Sequence, residues 1–164
     1  MYRKSIVGFF VFFLFTQFGH TQTIKIDTVL VKKAERKLYL LQQNKVIKTY
    51  PISLGNNPVG HKQRQGDSKT PEGMYTIDYR NPHSRFHLSL HINYPNNNDR
   101  QRARRRNDSP GGDIFIHGLP NGQQDGFSFW KRGDWTDGCI AVSNKAIKEI
   151  WKLVKDGTLI EIQP

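Results

Sequence analysis

Cys139 is the only cysteine of the 164-residue chain, and it stands in Trp135-Thr136-Asp137-Gly138-Cys139-Ile140-Ala141-Val142, 22 positions after His117-Gly118. A single thiol forms no internal disulfide. Two explanations remain: an inert apolar filler, the usual fate of a free buried cysteine, or a nucleophile served by a histidine base. The glycine before the thiol and its polar neighbours favour the nucleophile. In that reading His117 lowers the thiol pKa and takes its proton. The backbone amides of Gly138 and Cys139 are candidate donors to a developing oxyanion. No acid follows His117, so the Gly118 carbonyl is the candidate acceptor that orients the imidazole.

Other residues carry weaker signals. His83, His87 and His91 recur every four residues, a zinc-binding spacing on a helix. The segment alternates like a strand, however, and four residues of strand cover about 13 Å, too far for one ion to bridge. No metal or other cofactor is therefore expected. His87, Ser89, His91 and Asn93 form the polar side of that strand, which either lines a groove or faces solvent. Arg100-Gln101-Arg102-Ala103-Arg104-Arg105-Arg106 is the densest charge run, either a solvated loop or short helix, or a flap whose cations pair with substrate carboxylates. Trp130 and Trp135 lie between the two motifs and could wall a groove, whereas Trp151 fits a helix core stripe.

The pattern His117-Gly118, spacer, Thr136-Asp137-Gly138-Cys139-Ile140 resembles the HG…S/T-x-G-C signature of the L,D-transpeptidase catalytic domain (YkuD-type) family. Ser53-Leu54-Gly55, Asp67-Ser68-Lys69-Thr70-Pro71-Glu72-Gly73 and the closing helix are also similar to that family. Ser89-Leu90-His91-Ile92-Asn93-Tyr94-Pro95-Asn96 and Cys139-Ile140-Ala141-Val142 look most like its YafK-like branch. The resemblance implies a mainly β fold of the L,D-transpeptidase β-sandwich type, with a helix after the cysteine. It also implies a cysteine acyl-enzyme formed on peptidoglycan stem peptides and sensitivity to carbapenems. Cys139 would be the nucleophile, His117 the base and Gly118 the carbonyl that orients it. Gly138 and Cys139 would form the oxyanion site, and Thr136 occupies the family's Ser/Thr position. With Thr136, the residues His91, Arg104 and Trp135, read from the sequence itself, are the candidate substrate contacts. The commoner pattern has arginine two residues after the cysteine, where this chain has Ala141, so specificity does not carry over. Alternatives are a hydrolase of the same fold that cleaves stem-peptide or wall-anchored-protein linkages, and a non-catalytic wall-binding module. A papain-type protease is disfavoured by the missing C-G-[SA]-C-[WY] pattern and by the cysteine following the histidine.

The elements that must position these residues are mostly short strands. Ile24–Asp27 alternates, and Lys37–Leu41 and Val46–Ile52 flank Gln42–Lys45 as a hairpin. Thr70-Pro71-Glu72-Gly73 is turn chemistry leading into Met74–Ile77. His87–Tyr94, Asp113–His117, Cys139–Val142 and Leu159–Ile162 follow as strands. Ile147, Ile150, Trp151 and Val154 recur at helical spacing, with Ser143 or Asn144 as the start cap and Gly157 at the end. Many short strands with one clear helix indicate a sandwich or open barrel.

The chain opens with Arg3 and Lys4, then the apolar run Ile6–Phe15, then Gly19-His20-Thr21 with small residues at cleavage positions. Ten apolar residues reach about 15 Å as a helix, half of a hydrocarbon core of roughly 30 Å. Residues 1–21 therefore read as a secretory signal peptide and 22–164 as one catalytic domain, with no integral membrane segment after cleavage. Loss of Arg3 and Lys4 lowers the formal charge of +11 to +9. Export argues against nucleic acid as the partner and towards an anionic polymer of the periplasm or cell envelope, although charge also serves solubility alone.

Overall fold

A computed structural model describes residues 24–126 and 133–164; the expected signal segment and Trp130 lie outside them. Eight strands run β1 Thr28–Lys32, β2 Lys37–Gln42, β3 Lys45–Pro51, β4 Gly73–Asn81, β5 Ser89–Ile92, β6 Ile114–His117, β7 Ile140–Ala141 and β8 Leu159–Gln163. Helix α1 (Asn97–Arg105) lies between β5 and β6, and α2 (Asn144–Leu153) between β7 and β8. The strand order is β3-β2-β1-β8-β4-β5-β6-β7. Among the described strands, β1–β8 and β6–β7 pair in parallel and the other neighbours antiparallel.

Strand β4 makes the corner. Its first half, Gly73–Thr76, pairs with β8, and its second half, Ile77–Asn81, pairs with β5. A register shift between Ile77 and Tyr79 bends it from one layer to the other, as bulges do at such corners. The layers bury one core, with Val29, Val31, Leu38, Leu40 and Ile160 from one and Leu90, Ile92, Ile114, Ile116 and Ile140 from the other. Helix α2 adds Ile147 and Ile150. The chain after β3 then returns to β7: Ser53 and Ala141 exchange backbone hydrogen bonds of 2.9 and 2.8 Å. The curled sheet thus joins its two ends at the strand that follows Cys139.

Several elements match the expectation, with differences of physical origin. The β2–β3 hairpin turns on Gln43 and Asn44 alone, both at positive φ, as a tight two-residue hairpin turn demands. The first strand is Thr28–Lys32 rather than Ile24–Asp27, because the buried alternation belongs to Val29 and Val31. Ser143 caps α2, its hydroxyl accepting from the Ala146 N–H at 3.0 Å. The helix ends at Val154, and Gly157 serves the turn into β8 instead. The arginine-rich connection is α1, closed by a reciprocal capping box between Asn96 and Asp99.

Candidate active site

In β5 and β6, Leu90, Ile92, Ile114 and Ile116 enter the core, so Ser89, His91, Phe115 and His117 occupy the outer face of that layer. The β6–β7 register pairs Ile116 with Ile140 and His117 with Ala141. Stepping one residue back sets Cys139 beside Phe115, on the face that carries His117. Cys139 and His117 share a groove of about 480 Å³, lined also by Ser84, Arg85, Phe86, Ser89, Asp113, Trp135 and Asp137.

His117 is 4% exposed. Its Nδ1 lies 2.7 Å from the Gly118 carbonyl oxygen, which can only accept, so Nδ1 carries the proton and Nε2 is the basic nitrogen. Burial pushes the imidazole pKa down to about 4, against a smaller upward pull from that carbonyl. The ring is packed by Phe86 at 4.4 Å and Trp135 at 5.8 Å between centroids. Gly118 is held from behind by α2: a Cβ there would sit 2.7 Å from Asn144 Oδ1 and 3.0 Å from Ile147 Cγ2. Asn144 Oδ1 itself accepts the Leu119 N–H at 2.9 Å.

The Cys139 thiol lies 3.5 Å from the Asp113 carbonyl oxygen. Burial pushes its pKa up to about 11; the Phe115 N–H pulls the other way, and the Asp137 and Asp113 carboxylates add to the rise. The expectation that histidine lowers this thiol's pKa therefore fails for the resting state. Both groups are neutral near pH 7, because both are desolvated.

The turn before the thiol is shaped by three contacts. Gly138 has φ +130° and a Cβ there would meet the Lys69 carbonyl at 2.6 Å, so only glycine fits. The Thr136 hydroxyl donates to the Cys139 carbonyl at 2.7 Å and accepts the Gly138 N–H at 3.1 Å. The Gly138 amide is engaged by Thr136 at rest, which leaves the Cys139 amide as the oxyanion candidate, and Thr136 lines the groove with its hydroxyl directed into the turn. Underneath, Leu54 accepts the Trp135 and Thr136 N–H groups at 3.1 and 3.0 Å. The Asp134 carboxylate accepts the Leu54 N–H at 2.9 Å and both Nε and Nη2 of Arg36.

Trp135 stands in the groove as expected. His91 does not line it: Phe115, its partner on β6, lies between His91 and Cys139, and His91 is held at 2.6 Å by Asp78. Arg104 is exposed on α1 and does not line it either. Among the described residues, the arginine that lines the groove is Arg85, in the β4–β5 connection. Ala141 is fully buried in its pairing with Ser53, which leaves no room there for an arginine. Sequence reasoning missed Arg85, Phe86, Asp113 and the Arg36–Asp134 strap. Arg85, Phe86 and Arg36 come from segments distant in sequence from the motifs, and only the chain's return path brings them there; Asp113 and Asp134 lie close to the motifs but carry no local signal of their role.

The L,D-transpeptidase catalytic domain (YkuD) family model matches residues 26–162. The Escherichia coli (strain K12) protein YafK is 32% identical over 142 residues, 83% of this chain and 50% of that protein. The chain thus spans about half the length of the curated relatives it matches. Among solved structures, Bd1075 of Bdellovibrio bacteriovorus superposes with TM-score 0.58 at 30% identity, covering 87% of this chain and 49% of that one. Pgp2 of Campylobacter jejuni, described as a helical cell shape determining protein, gives TM-score 0.62 at 25% identity, covering 84% and 47%. With the family match running from before the first strand to the last, this chain belongs to the L,D-transpeptidase catalytic domain family.

Proposed function

We propose that the protein is an exported peptidoglycan L,D-transpeptidase that works through a Cys139 acyl-enzyme on stem tetrapeptides. In this reading residues 1–21 are the export signal and 22–164 the catalytic unit of the periplasm or cell envelope. The observation that carries the reading is the sharing of one groove by the sole cysteine and a buried, neutral histidine whose Nδ1–H is tied to Gly118. As a stem carbonyl approaches, the thiol attacks its carbon while the thiol proton passes to His117 Nε2. The Cys139 N–H supports the oxyanion. Collapse breaks the amide bond, and His117 returns the proton to the leaving amine. An acceptor amine then attacks the thioester, gives its proton to Nε2 and restores the thiol. The depressed imidazole pKa keeps Nε2 free for this at neutral pH.

Intact-mass measurement after incubation with a carbapenem tests the assignment. One adduct is expected on the parent protein and none on Cys139→Ala; labelling that persists in the variant overturns it. Water in place of the amine gives hydrolysis from the same intermediate, and Ala141 in place of the commoner arginine keeps that reading in play. Tetrapeptide muropeptides supplied with a free D-amino acid should give a Cys139-dependent exchange product. Cleavage products alone, even at high acceptor concentration, would make the protein a hydrolase.

A further inference from the structure

Next to the Cys139 groove the outer face carries a row of three rings, one from each of three adjacent strands. Tyr79 of β4 pairs with His91 of β5, which pairs with Phe115 of β6. Tyr79 stacks on His91 with centroids 4.6 Å apart and planes 20° apart, and Phe115 meets His91 edge-on at 4.8 Å. The row exists because of the β4 bulge. Tyr75 and Ile77 point into the core, and unbroken alternation would bury Tyr79 with them. The register shift at Asp78 re-aims it outward, where it is 44% exposed. His91 is fixed by the Asp78 carboxylate, so the platform is rigid.

Beside it lies a polar depression of about 470 Å³ lined by Asp78, His91, Asn93, Asn96, Asn97 and Arg100, with Tyr94 and Pro95. The three asparagine oxygens are used inside the fold, by the Thr76 N–H, the Asp99 N–H and the Arg100 guanidinium. Their NH₂ groups make no protein hydrogen bond among the described residues, which leaves donors without acceptors. The exposed Tyr79 ring, backed by the half-buried His91 and Phe115 and set beside neutral amide donors, suits a ligand with an apolar face and many acceptor oxygens, which describes a pyranose ring. We propose that Tyr79, His91 and Phe115, with Asn93, Asn96 and Asn97, bind the glycan of the strand whose stem peptide reaches Cys139. This rests on the peptidoglycan reading of the groove. The row runs from Phe115, one inter-strand step of about 5 Å from the β7 position, to Tyr79, three steps and about 14 Å away. The three stem residues up to the attacked carbonyl reach at most about 11 Å, which ends within the row.

Calorimetry on the full chain carrying Cys139→Ala, which cannot turn over, tests the proposal with three ligands: a disaccharide-tetrapeptide, the free tetrapeptide and the disaccharide. The sugar-bearing peptide is expected to bind about tenfold tighter than the free peptide, about 1.4 kcal/mol. Adding Tyr79→Ala should erase that ratio without changing free-peptide affinity, and Tyr79→Phe should keep it. An unchanged ratio in Tyr79→Ala overturns the platform. If neither peptide ligand binds, the reading of the groove fails instead, and the disaccharide alone decides: binding that Tyr79→Ala removes upholds the platform, and no binding overturns it.

Discussion

At the scale of single residues, the site combines a thiol and an imidazole that are both kept neutral by burial. A standing thiolate–imidazolium pair would alkylate at a rate nearly independent of pH across neutrality. Here the thiol is pushed up to about 11 and the imidazole down to about 4. Iodoacetamide alkylation of Cys139 should therefore rise about tenfold per pH unit through neutrality, without a neutral plateau. His117→Gln should leave that slope in place while sharply slowing acylation by a stem peptide, because the base acts during attack. A plateau between pH 5 and 8 would contradict this account. Gly138 gives a second test. Its φ of +130° and the 2.6 Å approach of the Lys69 carbonyl make Gly138→Ala strained by at least about 1–3 kcal/mol. A lowered melting temperature and lost carbapenem labelling are expected together.

At the scale of elements, the loop that bears the thiol is held by strands it does not belong to. Asp134 links Arg36 before β2, the Leu54 N–H after β3 and the start of the Trp135–Cys139 turn. Asp134→Ala leaves the Leu54 N–H without its acceptor and the half-buried Arg36 without its carboxylate, a loss of about 1–3 kcal/mol. Acylation should fall with it, as the Trp135 wall loosens, and Asp134→Asn should lie between, because it keeps an acceptor but not the charge. Thermal melts and acylation rates of the three proteins check the order. Nothing local announces this strap, since Arg36 and Asp134 lie 98 positions apart. The hairpin, α2 and the strand ending in His117 were legible because their signals are local: turn residues, helical spacing and alternation. His91, which does not line the Cys139 groove, shows the limit of such signals. Alternation gives the face a residue occupies, and only the neighbouring strand decides that Phe115 stands between it and the thiol.

At the scale of the whole molecule, the buried imidazole links the site to pH stability. An ordinary histidine protonates near 6.5, as it does in the unfolded chain, whereas His117 in the fold stays neutral down to about 4. Between those values the unfolded state binds the extra proton, so stability is full above pH 6.5 and is lost as pH falls towards 4. A shift of this size corresponds to about 3 kcal/mol. Asp67 acts in a lower window. Burial opposes its ionisation, but hydrogen bonds from Lys62 and the Gln63, Arg64 and Lys69 N–H groups hold its carboxyl down to about 2, against an ordinary 3.8. Its contribution is lost only as pH falls from 3.8 towards 2, under the Gly55–Gly138 contact where the loops meet. The chain already carries a formal charge of +11, and protonating its carboxylates adds self-repulsion in that lower range. Urea unfolding measured from pH 7 to 2 should therefore show a first decline between 6.5 and 4 and a later one below 3.8. His117→Gln, which has no proton to gain, should flatten that first decline and leave the later one unchanged. An equally steep decline in the variant would move the titrating group elsewhere and remove the burial account of His117.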